Sequence, residues 1–168
     1  MQAERSEALP RRNDPGAAAE LYDEYSHALY AYALSLTGDA AASEDLVHDA
    51  FVRLIEYPQA PESDEAFLFT VVRNRAIDLR RRGAVRRENP CPVPLRAEGP
   101  DAAVADVATL ALGRLPEEQR EAVVLKIYSG LTFADIGNLT GASTATAASR
   151  YRLGLEKMAG WLSQEMSA

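Results

Sequence analysis

The sequence predicts an all-α protein built as two small helical domains joined by a proline-rich linker. Three observations predict it. Apolar residues recur at three- and four-residue spacing nearly throughout the chain. Helix start and stop signals punctuate that pattern at regular intervals. Pro90, Pro92, Pro94 and Pro100 interrupt it within eleven residues. The 168 residues suit one ordinary domain or two small ones. A hydrophobic content of 47% is enough for each to bury a core.

The elements follow in order. Residues 1–17, beginning "MQAERSEALPRRNDPG", have no apolar signal core and read as a disordered lead-in. Leu21, Tyr25, Leu29, Tyr32 and Leu36 form one face of a first helix. Gly38 stops it, and Asp39 caps the next. In the second helix Leu46, Ala50 and Leu54 line a stripe, with Val47, Phe51 and Ile55 beside it. Pro58 closes it. Ser63 is the expected N-cap of a third helix, from about Asp64 to Arg82. Asp64 and Glu65 lie in its first turn and arginines at its end, both favourable to the helix dipole. Leu68, Val71, Val72, Ala76 and Leu79 face inward. Phe67 and Phe69 flank that stripe, so one of them is expected outside it.

The first domain is thus expected over 18–82, and residues 83–109 read as the linker, with room for helix after Pro100. The second domain, over 110–163, opens at "LPEEQREAVVLKIYSG". Pro116 suits a first helical position, and Val123, Val124, Ile127 and Tyr128 make a buried face. Gly130 is a stop. Thr132 and Asp135 form a capping box, with Leu131 and Ile136 as a hydrophobic staple. A turn containing Gly141 leads to Ser143, the cap of the last helix. Its inward stripe is Ala147, Tyr151, Gly154, Leu155 and Met158. Two helices joined by a short glycine-containing turn form a helix-turn-helix, whose second helix reads the major groove. The outward residues of that helix are Thr144, Ala145, Thr146, Ala148, Ser149, Arg150, Arg152 and Leu153.

Charge is unevenly placed. The chain carries −7 in all. Residues 1–66 hold 4 Lys+Arg against 14 Asp+Glu, whereas residues 67–90 hold 7 against 2. Screening cuts charge effects off over roughly 10 Å, so a local basic block can hold a polyanion on an acidic protein. No apolar run approaches the ~20 residues of a membrane helix, so no membrane partner is expected. The lone Cys91 excludes an internal disulfide and fits a reducing cytoplasm. Glu44 and His48 have metal-pair spacing but no third ligand nearby, so no metal is assigned. No nucleophile–base set, phosphate loop or carboxylate cage appears. No cofactor and no enzymatic activity are expected.

The order of three motifs is informative. "ASEDLVHDAFVRLIE" (42–56) precedes "AFLFTVVRNRAIDLRRR" (66–82), and after the linker comes "RLPEEQREAVVLKIYSGLTFADIGNLTGASTATAASRYRLGLEKM" (114–158). This order resembles the short, two-domain extracytoplasmic-function (ECF) sigma factors of bacterial RNA polymerase, over about residues 18–162. The resemblance implies binding to core RNA polymerase and promoter DNA in transcription initiation, with an anti-sigma factor as a further possible partner. It assigns Asp45, Leu46, His48, Asp49, Phe51, Arg53 and Leu54 to polymerase docking. It assigns Arg73, Asn74, Arg75, Arg80, Arg81 and Arg82 to the minus-ten element, with Asn74 holding a base flipped from the stack. It assigns Ser143, Thr144, Ala145, Thr146, Ala148, Ser149, Arg150 and Arg152 to the minus-thirty-five element.

This chain departs from the family pattern at several positions. The family usually carries basic residues where Ala148 and Leu153 stand, valine at Ala147, alanine at Gly137, arginine at Thr70 and often glutamine at His48. Two other readings stand beside the sigma factor. One is a free-standing helix-turn-helix regulator, and the other a sigma-like interaction protein with weakened promoter recognition.

Overall fold

The computed structural model describes residues 14–83 and 102–167, and no strand occurs among them. Asp14 starts the first helix by accepting the Ala17 N–H, and Pro15 follows at the position where its missing N–H costs nothing. Helix α1 therefore runs Pro15–Thr37 and takes in residues 15–17, which the sequence reading placed in the lead-in. Residues 1–13 lie outside the described residues. Gly38, at φ 66°, ends α1 in the left-handed conformation.

Asp39 caps α2 (Ala40–Glu56) by accepting the Ala42 N–H at 2.8 Å. Ser63 caps α3 (Asp64–Arg81) by accepting the Ala66 N–H at 3.1 Å. The three helices form a bundle. Phe69 is buried and its ring lies 5.6 Å from that of Tyr32. Phe67 is half-buried against Tyr57 at 5.0 Å. Each fully buried large apolar side chain contributes about 1.5–3 kcal/mol. Ile55, expected beside the α2 stripe, is exposed.

The linker expected over 83–109 is helical at its end, because α4 begins at Ala102 and runs to Arg114. Cys91 lies outside the described residues. Helix α5 spans Glu117–Val124 and continues into a π-helical turn, Leu125–Ser129. Pro116 is the N-cap rather than the first helical residue. The wide turn changes the register of the face: Leu125 is buried, while Ile127, expected inside, is 49% exposed.

Helix α6 (Phe133–Thr140) opens with the capping box. The Asp135 N–H donates to Thr132 Oγ1 at 3.1 Å and the Thr132 N–H donates to Asp135 Oδ2 at 3.2 Å. Leu131 and Ile136, the staple pair, are both buried. Gly141, at φ 71°, turns the chain toward Ser143, which caps α7 (Thr144–Met166) by accepting the Thr146 N–H at 3.0 Å. The turn folds back so closely that a Cβ on Gly137 would sit 2.6 Å from the Ala142 carbonyl oxygen. Ala147, Gly154 and Met158 of α7 are buried, and Tyr151 stacks 5.5 Å from Phe133. A Cβ on Gly154 would lie 2.8 Å from Val123 Cγ2, so glycine sets the close approach of α7 to α5. Leu155, expected inside, is 36% exposed, because α7 meets α5 and α6 along a stripe too narrow to cover it.

The two halves are in contact. Helix α1 packs on α2 and α3, and also on α5 and its π-helical turn, and α3 touches α6. The consequence is visible on α1. Residues 31–37 are all buried, including Ser35 and Thr37. An amphipathic helix on one neighbour buries a stripe; a helix covered from several directions buries its whole circumference. The two buried hydroxyls are satisfied locally. Ser35 donates to the Tyr32 carbonyl at 2.7 Å, and Thr37 pairs with Ser43 Oγ at 2.8 Å.

Candidate nucleic-acid interface

The basic end of α3 is the first candidate surface. Asn74, Arg81 and Arg82 are exposed. Asn74 can donate and accept through one amide, which suits a base edge. Arg81 and Arg82 have no ion pair among the described residues. The other three arginines are engaged. The Arg75 Nε donates to Asp49 of α2 at 3.1 Å. The Arg73 Nε donates to Glu121 of α5 at 2.9 Å. Arg80 forms a two-pronged pair with Glu117 of α5, its Nη2 donating to Oε2 at 2.8 Å.

Glu121 is the unusual member. It is 6% exposed, yet it accepts from Arg73 and also from the hydroxyl of buried Tyr32 at 2.6 Å. A buried carboxylate needs such partners, because removing a charge from water costs several kcal/mol. The electrostatics agree with the geometry. Burial, and then Glu121, push the Tyr32 hydroxyl well above its ordinary value. Burial would lower Arg73, but the charge and hydrogen bond of Glu121, together with Tyr32, raise it overall. The hydrogen bond from Arg80 holds the Glu117 carboxyl below its usual range.

Helix α2 presents a second surface. Asp45, His48 and Arg53 are exposed. Leu46, Phe51 and Leu54 are buried, so they hold the helix in place rather than form its outer face. Asp49 accepts from Arg53 at 2.8 Å as well as from Arg75, fastening α2 to α3. Beside these residues an apolar groove of about 290 Å³ opens between α1 and α2, lined by Ala18, Leu21, Tyr22, His48, Phe51 and Ile55.

The outer face of α7 is the third surface. Ser143, Thr144, Ala145, Thr146, Arg152 and Leu153 are exposed; Ala148, Ser149 and Arg150 are half-buried. Ser143 is committed to the cap. Arg150 pairs with Glu118 of α5 at 3.0 Å, and Arg152 with Glu156 one turn on at 2.7 Å. Thr70 donates back to the Ala66 carbonyl at 2.7 Å.

Sequence reasoning missed Glu117, Glu118 and Glu121 as partners of the arginines on these surfaces, and Tyr32 as a partner of Glu121. Glu117 and Glu121 are one helical turn apart and so share a face. That spacing, in a chain with an under-neutralised arginine block, is the signal that could have found them.

Both halves of the chain resemble known proteins. Residues 21–86 match the family described as Sigma-70 region 2, and residues 106–158 match Sigma-70, region 4. The ECF RNA polymerase sigma factor SigL of Mycobacterium tuberculosis is 34% identical over 145 residues, 77% of this chain and 80% of that protein. The ECF RNA polymerase sigma factor EcfG of Rhodopseudomonas palustris is 30% identical over 142 residues, 80% of this chain and 78% of that protein. Among solved structures, the sigma factor RpoE of Bartonella quintana, in complex with the anti-sigma factor NepR, aligns with a TM-score of 0.65 and 25% identity. That alignment covers 86% of this chain and 97% of RpoE. Region 2 thus ends on the basic helix and region 4 encloses the helix-turn-helix, and the chain belongs to the ECF sigma factors of bacterial RNA polymerase.

Proposed function

We propose that this sigma factor works by binding alone, with a separate surface for each partner, and that polymerase performs all the chemistry. Asp45, His48 and Arg53, with the apolar groove at their side, form the face offered to core RNA polymerase. Leu46, Phe51 and Leu54 support that face from beneath, and Asp49 locks it to α3. Asn74 reads one base of the minus-ten element, and the arginines of α3 anchor the flanking phosphates. Thr144, Ala145, Thr146, Ala148, Ser149, Arg150 and Arg152 meet the minus-thirty-five element. The low count of cations on α7 makes that contact weaker than the one at α3. The chain acts in the cytoplasm, where polymerase and promoter are; no helix among the described residues is long and apolar enough to cross a membrane. An anti-sigma factor is a partner of the same class as the one bound by the RpoE relative.

The observation that carries this reading is the exposed Asn74 at the start of a basic helix end, on the helix that closes region 2. The test is transcription in vitro with core polymerase on a genomic library, with start sites mapped. Start sites sharing two elements at fixed spacing are expected. Transcripts that do not depend on this chain would overturn the reading.

A further inference from the structure

The recognition helix of region 4 carries a narrow set of side chains at the end that enters a major groove. From Ser143 to Ser149 the chain runs Ser, Thr, Ala, Thr, Ala, Ala, Ser. Guanine edges are taken by arginine or lysine, adenine edges by asparagine or glutamine, and cytosine edges by aspartate or glutamate. None of those residue types occurs in this stretch. We propose that α7 reads its minus-thirty-five element through thymine methyl groups: Thr144, Ala145 and Ala148 determine the specificity, their methyls packing on a short run of thymines in one strand. The proposal deepens the reading of α7 as the minus-thirty-five helix and rests on it, region 4 being matched over residues 106–158.

Three observations lead to this assignment. First, the chemistry left free at this end of α7 is mostly methyl. Ala147 is buried in the core. Ser143 Oγ accepts the Thr146 N–H at 3.0 Å and pairs with Thr146 Oγ1 at 2.8 Å, so both hydroxyls are committed to the cap. The hydroxyls of Thr144 and Ser149 can bond to more than one base and so choose weakly between them. Thr144 and Ala145 are exposed and Ala148 is half-buried. Second, these three form one patch. Thr144 and Ala145 stand four and three residues before Ala148, so all lie on one side of the helix. Their Cβ atoms are about 5–6 Å apart, between one and two base steps of about 3.4 Å, so the patch spans two or three successive bases. Third, the arginines of α7 are placed for another task. Arg150 is held by Glu118 of α5 at 3.0 Å, with its side chain only 24% exposed. Arg152 pairs with Glu156 at 2.7 Å, and both side chains of that pair are open to water. A surface pair of this kind is weak and exchanges readily. Arg152 also lies about 10 Å beyond Ala145 along the helix, which suits a phosphate rather than the base edges met by the first turns. Arginine then supplies affinity, and the methyl patch supplies sequence.

The test is selection from short random-sequence duplexes, which offer no melted strand to α3, by the full-length chain assembled with core polymerase. One pool is made with thymidine and one with deoxyuridine, which lacks only the 5-methyl group. Thymine runs should be enriched from the first pool, and no uracil run from the second. Fluorescence anisotropy on a selected duplex should show about fourfold weaker binding for each thymine methyl deleted. A cytosine put in place of one of those thymines should bind more tightly when it is 5-methylated. The same runs from both pools, guanine-rich sequences or no enrichment would overturn the proposal. So would a loss on uracil substitution with no gain from 5-methylcytosine, which would assign the preference to duplex shape. Two variants locate the effect on α7. Thr144→Ser deletes a methyl and keeps the hydroxyl, and should reduce the preference for thymine over uracil. Thr144→Val keeps the methyl and should retain that preference; the opposite order overturns the proposal. Arg152→Ala separates this proposal from the reading beneath it. Enrichment that falls with Arg152→Ala but ignores the methyl leaves α7 as the reader and removes the methyl mechanism. Enrichment untouched by Arg152→Ala and by both Thr144 variants removes the two together.

Discussion

Replacing Tyr32 by phenylalanine removes one oxygen from the centre of the contact between the halves. Tyr32 is completely buried, its ring packs against Phe69, and its hydroxyl donates to Glu121 at 2.6 Å. Phenylalanine preserves the ring and nearly all the packing, so the cavity term is small. What remains is the loss of a hydrogen bond to a buried charge, worth about 1.5–3 kcal/mol. Arg73 still pairs with Glu121, which places the expected loss near about 2 kcal/mol. For a chain of this size that is a fall in melting temperature of roughly 4–8 °C. Differential scanning calorimetry of the parent and of Tyr32→Phe measures it, with Tyr22→Phe, at an exposed position, as the control. A loss below about 0.5 kcal/mol, the range of ordinary surface changes, would refute the reasoning. It would mean that water already reaches the hydroxyl and that the halves stand apart in solution.

Four further outcomes are expected. Replacing Arg81 and Arg82 together by alanine should flatten the salt slope of DNA binding by about 1.4–1.8, as two lost phosphate contacts require; a full slope would make them a solvated helix end. Asn74→Ala should cost ~1–3 kcal/mol of discrimination at one minus-ten base, read by abortive transcription on promoters carrying every single-base change. Equal loss on all of them would assign Asn74 to packing instead. Gly137→Ala should destabilise by ~1–3 kcal/mol in urea unfolding, because its Cβ would lie 2.6 Å from a backbone oxygen and the turn must shift. A more stable variant would show that the turn gives way freely. Acidification acts on the contact between the halves through two carboxyls of opposite sign. Arg80 lowers Glu117, so its contribution is present above the ordinary value of 4.5 and is lost as pH falls through its lower folded value. Burial, then Asp135 and Glu24, raise Glu65, so its contribution is present below 4.5 and is lost as pH rises through its raised folded value. The stability lost on Glu117→Gln, read by urea unfolding, should therefore shrink as pH falls below 4.5, while Glu65→Gln should stabilise the chain above 4.5; a pH-independent difference in either would refute this linkage.

The helical class, the caps and the helix-turn-helix were legible in the sequence because each rests on local chemistry. Asp39, Ser63, Thr132 with Asp135, and Ser143 all cap as their side chains allow, within a turn of where they stand. The stripes of Leu46, Ala50 and Leu54, and of Ala147, Gly154 and Met158, follow from a period of 3.6 residues. The family, too, could be read from the order of its motifs. Where local rules met a non-local cause, the reading failed. Ile127 turned outward because a π-helical turn shifted its register, and no single residue in that turn announces it. Residues 31–37 of α1 are buried on every side because the other half of the chain covers them. The partners of Arg73 and Arg80 lie 48 and 37 residues away, across the linker. Charge counting placed the arginines in one block, and helix periodicity placed Glu117 and Glu121 on one face. Only the packing of α1 against α5 brought those two sets together, since the meeting of distant side chains is fixed by how the helices dock and not by spacing along either one.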